Sequence, residues 1–209
     1  MSDVIEKSVE TPIHGRVLVV PGDPKRLLVG FHGYGENADR HLGELRRIPG
    51  ADAWTLVAIQ GLHRFYNQRT QEVVASWMTR QDRELAMADN LAYVGKVLGE
   101  VDGGGTRVFA AFSQGTPMAY RAAAAHGAHG LLILGGDCPP DVAAQESVQL
   151  PPVLLGRGEK DEWYTAEKFE QDLRFLRRAS KDVRTVVFEG GHEWSDAFRA
   201  AAGDFLSGL

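Results

Sequence analysis

Ser113 stands at the centre of Ala111-Phe112-Ser113-Gln114-Gly115, after the apolar run Val108-Phe109-Ala110 and before the alanine-rich stretch Met118 to Ala125. Strand, sharp turn and helix in that order read as a nucleophile elbow. A serine at its apex stands clear of the sheet at the positive end of the following helix, where the N–H of Gln114 can meet a developing oxyanion. Its hydroxyl is too weak an acid to attack an acyl carbon unaided, so the chemistry needs a base and a group that orients the base. His192, after Gly190-Gly191, supplies the first. Asp161, which closes Gly156-Arg157-Gly158-Glu159-Lys160-Asp161, supplies the second. Asp161 lies 48 residues after Ser113 and His192 a further 31 on, each gap long enough for a strand and a helix. A further donor comes from Phe31-His32-Gly33-Tyr34-Gly35-Glu36, a glycine-flanked turn that can aim the Tyr34 N–H at the same point as that of Gln114.

Each residue has a competing reading. Ser113 could simply cap a helix. Asp137, after the run Leu131 to Gly136, occupies another position from which an acid can be supplied, although the turn at 156–161 favours Asp161; Glu159 is a weaker, solvated candidate. His32 precedes the elbow and reads as a structural hydrogen-bonding residue, while His14, His41, His63, His126 and His129 read as surface or capping residues. Trp77, in the segment between the third strand and the helix at 83, and Trp163, two residues beyond Asp161, are expected to bind substrate as walls of an acyl pocket. For Phe65, Tyr66, Met78 and Trp194, plain packing is the stronger reading.

The elements that must hold these groups are legible as apolar runs: 16–20, 26–31, 55–59, 106–112, 130–134, 152–155 and 183–188. Continuous runs without alternation are strands covered on both faces. Helices are expected between them, at 83–98 with Leu85, Ala88, Leu91, Ala92 and Leu98 inward, and at 165–179 with Phe169, Leu173 and Leu176 inward. Alternating strand and helix predicts an α/β fold with a mostly parallel doubly wound sheet. The first strand should pair antiparallel with the second across Pro21-Gly22-Asp23-Pro24, since so short a link cannot make a crossover. Residues 103–105 and 139–152 read as loops, and 1–209 as a single domain.

Composition narrows the partners. The chain has 209 residues and a net charge of −5, with no run of lysine and arginine longer than two, so nucleic acid and anionic membranes are not expected partners. No segment reads as a secretory signal or a membrane span. One cysteine, Cys138, cannot form an internal disulfide, and no ligand cluster suggests a metal. A cytoplasmic protein with neither cofactor nor metal, acting on a small molecule, is the expectation; oligomeric state is not readable.

Taken together, Phe31-His32-Gly33-Tyr34-Gly35, Phe112-Ser113-Gln114-Gly115, the turn ending at Asp161 and Gly190-Gly191-His192-Glu193 resemble the carboxylesterase/phospholipase family that includes acyl-protein thioesterases. The resemblance runs from about Leu27 to Phe205. It implies the α/β-hydrolase fold without a large lid, helices on both faces of the sheet, and action on esters and sometimes thioesters. It assigns the nucleophile to Ser113, the acid to Asp161, the base to His192 and the oxyanion hole to Tyr34 and Gln114. Ala111 stands where the family has the first elbow glycine, Tyr34 where it has leucine and Glu36 where it has aspartate. None of these removes a backbone N–H, but a tyrosine at the mouth bears on substrate preference. The activity so implied is carboxylic-ester hydrolysis through an acyl-enzyme on short to medium acyl chains. The alternatives are a lysophospholipase or thioesterase on longer chains, and a non-catalytic binding protein on the same scaffold.

Overall fold

The computed structural model describes residues 3–145 and 147–209. Seven strands form one sheet: β1 (Arg16–Val20), β2 (Asp23–Phe31), β3 (Trp54–Gln60), then, beyond a separate hairpin of β4 (His63–Tyr66) and β5 (Val73–Ser76), β6 (Thr106–Phe112), β7 (Gly130–Leu134), β8 (Val153–Gly158) and β9 (Val183–Phe188). Their spatial order is β1-β3-β2-β6-β7-β8-β9, and every neighbouring pair except β1 with β3 is parallel. The helices are α1 (Ala38–Arg46), α2 (Arg83–Val101), α3 (Gly115–His126), the single-turn α4 (Pro140–Ala143), α5 (Ala166–Ala179) and α6 (Asp196–Ser207). This is the α/β-hydrolase fold.

Helices cover both faces. Leu27, Val29, Phe31, Phe109 and Ala111 point into a core shared with α2, α3 and α5, and the alternate residues Leu28, Val108, Ala110 and Phe112 into one shared with α1 and α6. That is why these strands read as unbroken apolar runs. Helix α5 shows the complementary pattern. Thr165 caps it by accepting from the Lys168 N–H, and Phe169, Leu173 and Leu176 form its buried stripe. Each such side chain contributes roughly 2 kcal/mol on leaving water.

Several expectations need correction. β1 is an antiparallel edge strand, but its partner is β3, not β2. The link at Pro21-Gly22 crosses the start of β3: a Cβ on Gly22 would lie 2.4 Å from the Trp54 carbonyl oxygen, and the Gly22 N–H donates to Thr55 Oγ1. The short connection therefore crosses over β3 instead of turning a hairpin. Helix α2 buries Ala86, Asn90, Val94, Val97 and Leu98, while Leu85, Ala88 and Ala92 are exposed. Asn90 draws the inward stripe round by one position, because its side chain accepts from the Leu62 N–H and donates to the Trp77 carbonyl. The stretch 139–152 contains α4 with a buried Val142, although Glu146 lies outside the described residues. His41 is buried, its Nε2 at 3.1 Å from the Ala110 carbonyl, and is no surface residue. Among the described residues no helix is long and apolar enough to cross a membrane.

Candidate active site

The strands bring the four motifs to the carboxyl edge of the sheet, where parallel α/β sheets hold their working groups. Ser113 follows β6 with φ of 52°, in the left-handed region that costs a non-glycine residue on the order of 1 kcal/mol. Three bonds hold it there: its N–H donates to the Leu134 carbonyl, and its own carbonyl accepts from the Thr116 N–H and hydroxyl. The turn also needs bare backbone around it. A Cβ on Gly115 would fall 2.1 Å from the Phe31 carbonyl oxygen, and one on Gly136 would fall 2.5 Å from that of Ser113.

His192 Nε2 lies 2.7 Å from Ser113 Oγ, and its Nδ1 lies 2.8 Å from Asp161 Oδ2. The other oxygen of Asp161 accepts the N–H groups of Trp163 and Tyr164, each at 2.9 Å. With its side chain 1% exposed and these three bonds, Asp161 is a buried carboxylate whose desolvation is offset by hydrogen bonds. It fixes the proton of the imidazole on Nδ1, leaving Nε2 free to accept from the serine. The ring lies against Phe112, centroids 4.8 Å apart, with Gly135 close by. Asp137 is not part of this relay. Its side chain is 55% exposed and lies 3.9 Å from Lys168 Nζ. Glu159 is exposed as well.

The turn after β2 passes beside the serine, since a Cβ on Gly33 would be 3.4 Å from Ser113 Cβ. Glu36 closes the turn by accepting the Gly33 N–H at 2.8 Å while its own N–H donates to the Gly33 carbonyl. Burial raises the Glu36 carboxyl above its ordinary range. His32 braces the turn from behind: Gly61 N–H donates to its Nε2 at 3.0 Å, so Nδ1 carries the proton and donates to the Gly33 carbonyl at 2.7 Å. Burial lowers its imidazole to about 4, and that of His41 to about 3. Among the described residues, neither the Tyr34 nor the Gln114 N–H enters a hydrogen bond.

A cleft of about 250 Å³ opens on Ser113 and His192, walled by Met78, Pro117, Gly136, Trp163, Tyr164 and Lys168. Trp163 is 74% exposed and lines this cleft. Trp77 does not. It is fully buried, packed on Phe31 and His32 with its indole N–H on the His32 carbonyl, so Met78 is the wall that its segment supplies. Tyr34 is exposed and packs on Phe65, centroids 5.5 Å apart, and neither lines this cleft. A larger cavity of about 320 Å³ beside Phe175 and Arg178 holds no nucleophile among the described residues. Among the described residues no group of His, Cys, Asp or Glu could hold a metal ion.

Sequence reasoning missed the side chain of Gln114. Its Oε1 accepts from the Ser76 hydroxyl and the Trp77 N–H, and its Nε2 donates to the Met78 carbonyl. One residue thereby ties the elbow to the cleft wall. Asn90 was missed for the same reason: a buried amide at an inward position signals a backbone that needs partners, but not which one.

No family model matches the chain, and no curated protein sequence matches it. Solved structures do. Acyl-protein thioesterase 2 of Zea mays superposes with a TM-score of 0.72 over 93% of this chain and 99% of that one, at 17% identity. The phospholipase/carboxylesterase of Dyadobacter fermentans gives 0.69 over 93% and 97%, at 20% identity. The Bacillus cereus carboxylesterase gives 0.69 over 93% and 94%, at 15% identity. The chain thus shares the α/β-hydrolase fold of these proteins over nearly its full length.

Proposed function

We propose that the protein is a serine carboxylic-ester hydrolase of the carboxylesterase/phospholipase family, a single cytoplasmic domain that works through an acyl-enzyme. The observation that carries the reading is the Ser113–His192–Asp161 relay, with links of 2.7 and 2.8 Å. His192 Nε2 takes the serine proton as Oγ bonds to the acyl carbon, and the carbonyl electron pair moves onto oxygen. The Tyr34 and Gln114 N–H groups receive that oxyanion. Collapse expels the alcohol, which takes the proton from His192. Water then repeats the sequence and releases the acid, so the reaction balances without a cofactor.

The small cleft supports short to medium acyl groups. The names of the similar structures, carboxylesterase and thioesterase among them, support acyl transfer as the reaction class. A non-catalytic binding role finds less support, because such a protein has no need of an aligned relay or a strained serine. The test is hydrolysis of 4-nitrophenyl acetate by the native enzyme and by Ser113→Ala. The variant is expected to lose on the order of 10⁴ in kcat while keeping its fold. Activity within about tenfold of the native enzyme would remove Ser113 from the mechanism.

A further inference from the structure

Helix α5 carries a carboxylate that the relay does not touch. Asp172 is 6% exposed, and its Oδ2 accepts two hydrogen bonds, from the Cys138 N–H at 3.0 Å and from the Tyr164 hydroxyl at 2.8 Å. The two donors come from different segments beside the cleft. Cys138 ends the segment Gly135-Gly136-Asp137 that follows β7, whereas Tyr164 follows Asp161. Core packing does not call for an acid here, since Leu173 and Leu176 on the same helix fill comparable space without the desolvation an acid incurs. Burial pushes the carboxyl up to about 6, with Asp137 raising it further and Lys168 opposing; Tyr120 also faces this group.

Tyr164 is held at both ends. Its N–H donates to Asp161 Oδ1 and its phenol to Asp172 Oδ2, so the position of Asp172 is transmitted through one rigid side chain to the acid of the relay. We propose that Asp172 is a positioning residue: through Tyr164 it keeps Asp161 aligned on His192, and through Cys138 it fixes the facing wall of the cleft. The proposal rests on the hydrolase reading above.

The test measures kcat, KM and the pH profile with 4-nitrophenyl acetate for Asp172→Ala, Asp172→Asn and Tyr164→Phe, with Ser113→Ala alongside. Asp172→Ala is expected to lower kcat roughly tenfold or more, since small displacements of a relay are costly. Its acid limb in kcat/KM should move to lower pH, because a loosely held Asp161 supports the imidazolium less. Asp172→Asn should stay within about threefold, as one amide oxygen can accept both bonds. Folded Asp172→Ala with native kcat and pH profile would overturn the proposal. Should that variant not fold, Tyr164→Phe, which keeps the Cys138 bond, decides it: a severalfold loss of kcat with the same shift of the acid limb supports the proposal, and native behaviour overturns it. Inactive Ser113→Ala beside native-like Asp172 and Tyr164 variants defeats the positioning role alone. Active Ser113→Ala defeats the hydrolase reading and this proposal with it.

Discussion

His32 offers a quantitative handle on the turn after β2. Its Nε2 must stay unprotonated to accept the Gly61 N–H, and burial lowers its imidazole from 6.5 to about 4. The sign follows from linkage. The unfolded chain binds this proton more readily than the folded one, so the contribution is fully present above 6.5 and is lost progressively as pH falls toward 4. At about 1.4 kcal/mol per unit the loss is about 2 kcal/mol by pH 5 and about 3 kcal/mol in full. Other groups titrate alongside it: His41, lowered in the same way, adds to the loss, whereas the raised carboxyl of Asp172 favours the folded state as pH falls from about 6. A difference measurement cancels them. Urea unfolding of the native protein and of His32→Gln, from about pH 7 to about pH 5, should show the native protein losing about 2 kcal/mol relative to the variant. A difference that stays flat over this range would refute the buried, neutral assignment of His32 and the bracing of the turn derived from it.

Asp161→Asn should lower kcat by on the order of 10³ to 10⁴, because an amide cannot hold His192 in the required tautomer, whereas Asp137→Asn should stay within about twofold; steady-state kinetics on both variants checks this, and the reverse order would transfer the acid role to Asp137. The kcat/KM of the native enzyme should show the acid limb that general-base catalysis requires, and a flat profile from about pH 5 to about pH 8 would contradict a histidine base. With 4-nitrophenyl esters from acetate to palmitate, rates should peak at short to medium chains and show no surge as substrate aggregates; an optimum at the longest chains would favour the lipid-directed reading.

The central strands were legible because both of their faces are apolar: β6 and β7 coincide with their runs in the sequence, whereas the edge strand β9 is largely exposed and was marked by its valines. The relay was legible for a different reason, since each of its members follows a strand in a glycine-marked turn. Helices α1 and α6 were not, because Ala38–Arg46 and Asp196–Ser207 mix charges such as Arg40, Glu44 and Arg199 into short stripes. Arg199 is buried and paired with Glu44, a contact 155 residues apart in the chain that no local pattern reveals. Trp77 illustrates the same limit. It was expected to wall the acyl pocket, but periodicity could not say that its ring turns inward onto Phe31 and His32 while Met78 faces the cleft.

The proposed hydrolysis requires Ser113, activated by His192, to be the nucleophile. Incubation of the native protein with a fluorophosphonate, followed by intact-mass and peptide mass spectrometry, tests it directly. A single adduct on the peptide carrying Ser113, formed together with loss of activity and abolished in Ser113→Ala and strongly slowed in His192→Ala, is the predicted result. A folded native protein that stays unlabelled, or an adduct on any other residue, would contradict it.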